Sequence, residues 1–86
     1  MINMDLVNNA DLRRVARASA SQLHAIQDYQ PHEQVMAAAA LFLTLAEHFG
    51  VSAQEAFRAT TNLMNHADGQ RRAEFRALRA YVEGEL

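Results

Sequence analysis

The stretch "VMAAAALFLTLA", Val35 to Ala46, constrains this chain more than any other, because Thr44 is its only polar residue. Alanine and leucine are strong helix formers. Pro31, upstream, suits a first helical position, where its missing N–H costs nothing. Gly50, downstream, can take the left-handed conformation that ends a helix. The pattern predicts a helix over 31–49. Val35, Phe42, Leu45 and Phe49 define one apolar face, and Met36 and Leu43 extend it to a second. Ala37, Ala40, Thr44 and His48 form a small-to-polar strip opposite, narrow enough for another helix to approach closely. A helix apolar over this much of its circumference has to be covered on more than one side.

The chain that must cover it is short. Its 86 residues make one domain, 1–86, and a chain of this size buries only about 63% of its unfolded surface on folding. It has no cysteine, so no disulfide supplements the core. The expected remedy is tight packing or self-association, most simply as a two-fold homodimer. The longest unbroken apolar run, Val35 to Leu43, is too short to span a bilayer, and the first residues lack the layout of a signal peptide. A cytoplasmic protein without a membrane partner is expected.

Three other helical segments are predicted around the central one. The first runs from about Asn9 to Asp28, or from as early as Asn3, with Asn8 or Asn9 as its cap. Leu12, Val15, Ser19, Leu23 and Ile26 form its narrow stripe. The third starts at Ser52, where Ser52 and Glu55 fit a capping box, and buries Ala53, Ala56, Phe57, Thr60, Leu63, Met64 and Ala67. The fourth follows the Asp68-Gly69 turn from about Gln70 to Glu83, with Phe75, Leu78 and Val82 inward. The expected fold is all-α, a compact bundle of four helices with short connections around the helix at 31–49. The expected core is Leu23, Ile26, Val35, Phe42, Leu45, Phe49, Phe57, Leu63, Met64, Phe75, Leu78 and Val82.

Charge narrows the function. The formal net charge is −2, which gives no global attraction to nucleic acid or anionic lipid. All eight basic residues are arginine. Three sit in the first helix and four in the last, whereas Asp28 to Glu55 holds four acids and no base. Arginine forms bidentate contacts with carboxylate or phosphate. Arg13, Arg17, Arg72, Arg76 and Arg79 are therefore the candidate docking face for a protein partner, with a solvated arginine surface as the plainer reading.

No phosphate-cradling glycine loop, nucleophile elbow or cysteine pair is present, so no enzyme and no cofactor is expected. His24 and Asp28 stand four residues apart, a spacing that suits two metal ligands. No second pair supports them, and no metal is expected.

The corner "AEHFGVSAQEAF", residues 46–57, resembles the centre of a helix-turn-helix. The helix after it would present Gln54, Arg58 and Asn62, side chains able to read base edges. Helix capping accounts for the rest of the corner. The segment is acidic, and a DNA reader needs several phosphate contacts. Nucleic acid is thus the second choice of partner.

The runs "HEQVMAAAALFLTLAEHFGVSAQEAF" and "RRAEFRALRAYVEGEL" resemble small helical proteins encoded by tailed bacteriophages. The resemblance implies a small effector that binds a host protein or regulates phage genes. It implies no particular site residue.

Overall fold

The computed structural model describes residues 2–65 and 73–85, with the side chain of Glu74 outside that set. The described residues are helical throughout their regular elements and contain no strand. Five helices, not four, are found among them: α1 (Met4–Asn8), α2 (Leu12–Ile26), α3 (Pro31–His48), α4 (Ala53–Asn65) and α5 (Ala73–Glu85). The expected turn at Asp68-Gly69 and the expected helix start at Gln70 lie outside the described residues.

The extra helix comes from the N-terminal segment, which splits in two. Asn3 caps α1 by accepting the Asp5 N–H at 2.8 Å. At the other end the Asn9 side chain donates to the Asp5 carbonyl, also at 2.8 Å. Asp11 then caps α2 by accepting the Arg14 N–H at 3.0 Å. Short polar side chains that bond neighbouring backbone groups interrupt a helix in this way. The first cap is therefore Asn3 and the second Asp11, and Asn9 closes α1 instead of opening a helix.

The α2–α3 connection is fastened by side chains at both helix ends. Gln30 donates its backbone N–H to the Glu33 carboxylate at 3.0 Å, an N-terminal cap for α3. From the first turn of α3, the Gln34 amide donates to the carbonyls of Ile26 and Gln27, at 3.2 and 3.0 Å. Those carbonyls end α2 and have no partner within it.

The α3–α4 corner follows the sequence closely. Gly50 has φ 69°, the only positive φ among the described residues. The Val51 N–H donates to the Ala46 carbonyl at 2.9 Å and the Gly50 N–H to the Glu47 carbonyl at 3.2 Å. This pair of bonds is the Schellman arrangement, which needs a left-handed residue at Gly50. Ser52 accepts the Glu55 N–H at 3.3 Å and opens α4. The two helix axes turn through 119°. The Ile2 N–H donates to the Phe49 carbonyl at 3.0 Å and ties the N-terminal residues to the corner. Gly50→Ala would force a Cβ into the left-handed region at a cost of about 1–2 kcal/mol. The expected outcome is a lower urea midpoint with unchanged helix content, read by circular dichroism.

The packing corrects the expected core. The buried residues among those described are Ala16, Ala46, Ala56, Ala59 and Phe75. Four of five are alanines, one on each of α2 and α3 and two on α4. Of the twelve expected core residues, Phe75 is fully enclosed, and Leu23, Ile26, Phe42, Leu63, Met64 and Leu78 are half-buried. Val35, Leu45, Phe49, Phe57 and Val82 are exposed, Val35 and Phe57 by more than two-thirds. Size explains the inversion. Helix backbones approach closely where side chains are smallest, so the alanines form the seams and the large residues project beyond them.

The resulting shape is a slab. Its principal extents are 35 × 28 × 17 Å, and the short one leaves room for about two helix layers at interaxial distances of 8–10 Å. α2 packs against α5 and α3, and α4 packs against α1 and α3. The central helix of the sequence is thus attached along one edge. Among the described residues no single helix is long and apolar enough to cross a membrane.

Candidate functional site: the α3 surface and two polar faces

The feature that sets this protein apart is the uncovered surface of α3. Through its 18 residues only Ala46 is buried, and only Gln34 and Phe42 are half-buried. Met36 is 67% exposed and Leu43 53%. Successive residues on a helix turn by about 100°. Taking Ala46 as the inward direction places Phe42 about 40° to one side, while His32, Met36, Ala39, Leu43 and Glu47 form a stripe on the other flank, from about 20° at Ala39 to about 100° at Glu47. All five are exposed. Leu41 and Leu45, on the Phe42 side, are also exposed. A monomer rarely leaves so continuous an apolar surface in water.

The total area tells the same story. The chain exposes 6667 Å². Surface scaling gives roughly 5,100 Å² for a folded monomer of this mass. The excess of about 1,600 Å² fits a flat molecule whose apolar helix has a solvent face.

The arginines fall into three situations. α2 and α5, the two arginine-bearing helices, are packed neighbours. Arg13, Arg17 and Arg76 are exposed on them. Arg79 is half-buried and turned toward α4, where its guanidinium donates to the Met64 carbonyl at 3.5 Å. That bond satisfies a carbonyl in the last turn of α4, so Arg79 also serves the fold. Arg72 lies outside the described residues.

The three candidate base-reading residues do share a surface. Gln54, Arg58 and Asn62 are exposed and line one open groove of about 570 Å³ together with Phe42, Ala53, Phe57 and Thr61. Arg58 and Asn62 also border a second hollow beside Met4 and Asn8 of α1. The groove holds two phenylalanines, a lining that suits an apolar side chain better than a phosphate.

A third hollow, of about 290 Å³, lies between α2 and α5 and is lined by Ala20, Leu23, His24, Ala77, Leu78 and Tyr81. Here the Tyr81 hydroxyl donates to the Gln27 side-chain oxygen, and the Gln27 amide nitrogen lies 3.4 Å from His24 Nδ1. The first contact fastens α5 to the end of α2, and the second lies within the last turn of α2. Among the described residues no three His, Asp or Glu side chains converge as a metal site.

The sequence pointed to the arginines, the corner and a self-associating apolar helix, but it did not single out His32, Met36, Ala39, Leu43 and Glu47 as the exposed stripe, and it placed Val35, Phe42 and Leu45 of the same helix in the core. The signal was present in the run itself, since four helices of this length offer too few neighbours to cover every side of α3. Comparison with protein-family models, with curated proteins and with solved structures finds no match.

Proposed function

We propose that this protein is a small non-enzymatic interaction module that associates with itself and binds another protein. The observation that supports this reading is the α3 surface, on which Val35, Met36 and Leu43 are all more than half exposed. Such a patch marks an interface on a soluble chain. Arg13, Arg17 and Arg76 supply a separate polar face suited to an acidic partner surface. The likeness of two segments to phage proteins adds the expectation of an effector that acts on a host protein in the cytoplasm.

A second reading, a helix-turn-helix DNA reader, is favoured by one observation. The 119° corner falls within the 90–120° typical of that motif, and Gln54, Arg58 and Asn62 face one groove. The exposed Phe57 in that groove and the net charge of −2 weigh against it.

One pair of measurements separates the readings. The immobilised full chain is expected to capture a host protein, and R13E/R17E/R76E is expected to lose it. Titration onto random duplex DNA is expected to show no binding at low salt. DNA binding that weakens steeply as salt is raised would favour the second reading.

A further inference from the structure

The proposed module leaves open what covers α3. We infer that a second copy of this chain does, with the two α3 helices packed antiparallel and crossing at Ala39 and Ala40. This rests on the reading of α3 as an interface and names its occupant.

The sequence of this exposed flank is self-complementary under a two-fold axis. An antiparallel pair centred between residues 39 and 40 sets residue 36 against 43 of the other copy, and residue 32 against 47. Met36 thus meets Leu43, and His32 meets Glu47. Both apolar ends and both polar ends find suitable partners, twice each, as an isologous interface requires. Ala39 and Ala40 stand at the crossing, where small side chains let helix axes approach to about 8 Å. A parallel pair would set Met36 against Met36 and Glu47 against Glu47, bringing like charges together at one end.

The chain as a whole exposes 6667 Å², about 1,600 Å² more than a folded monomer of its mass, enough surplus surface for an interface of standard size. α3 is also the longest helix among the described residues.

The absence of cysteine makes the register directly testable, because any disulfide must form at introduced residues. Under mild oxidation A39C is expected to form a covalent dimer at least about tenfold faster than S21C, an exposed control on α2. Residues 36 and 43 stand about 10 Å apart along one helix, too far for a bridge between two copies of the same single variant. M36C and L43C are therefore expected to cross-link when mixed and not alone. Sedimentation is expected to give a dimer for the wild-type chain. L43R, which should retain its helical signal, is expected to weaken the dimer by at least about thirtyfold, as for a central interface residue.

A wild-type chain that stays monomeric at micromolar concentration overturns the second copy as occupant, and capture of a host protein would then still support the broader module. A dimer in which A39C cross-links no faster than S21C overturns the α3 face while leaving self-association intact. Cross-linking of M36C alone overturns the antiparallel register.

Discussion

Phe75→Ala is expected to remove most of the chain's stability at room temperature. Among the described residues Phe75 is the one large side chain that is fully enclosed, at 1% exposure. Replacing a buried phenylalanine by alanine removes its transfer energy and leaves a cavity, for about 3–5 kcal/mol in all. Small domains have total stabilities toward the low end of about 5–15 kcal/mol, and no disulfide stands in reserve here. Urea unfolding followed by circular dichroism, at one fixed protein concentration, tests this. With a slope of about 1 kcal/mol per molar urea, the midpoint should fall by about 3 M or vanish below zero. A fall smaller than about 0.5 M would show that Phe75 does not anchor the core.

Ala16→Leu is expected to be the next most damaging change, for the opposite reason. Ala16 is also 1% exposed, at a helix seam where neighbouring backbones have closed on a methyl group. Three added carbons force off-rotamer side chains or a shifted helix, typically for about 1–3 kcal/mol. Urea unfolding checks this too, and an unchanged or higher midpoint would mean that the seam has room to spare. Phe57→Ala makes the contrast. It deletes a far larger group, yet at a side chain two-thirds exposed, so its effect should stay within about 0.5 kcal/mol. For this protein, damage should follow enclosure and not bulk.

That contrast also explains what could be read in the sequence. Helix existence was legible because Pro31, Gly50, Ser52 and the apolar spacing each act over a few residues. The Gly50 corner was legible in detail, since one left-handed position satisfies two carbonyls of α3. The break at Asn9 was less legible, because asparagine can open a helix or close one, and only the Asp5 carbonyl decides which. The core was misread at Val35, Leu45, Phe49, Phe57 and Val82. Apolar spacing reveals which residues avoid water in principle, and not which face finds a neighbour. Alanine carries almost no signal of burial, because it is equally the best helix former on a surface. Ala56 was placed inward by its spacing in the third helix, whereas Ala16 and Ala59 carried no such signal. The arginine face was half legible. Its helices are neighbours, but the turn of Arg79 toward the Met64 carbonyl depends on where α4 ends in space.

Gln27 is held from two sides, and the two fastenings differ in how much chain each encloses. Its carbonyl receives the Gln34 amide from seven residues away, and its side chain receives the Tyr81 hydroxyl from 54 away. The entropy lost on closing a loop grows with the logarithm of its length, so the second closure costs about 2 kcal/mol more than the first. By that term alone the α2–α3 joint is the easier contact to close and the α5 contact the harder, so a single glutamine joins a near partner to a distant one.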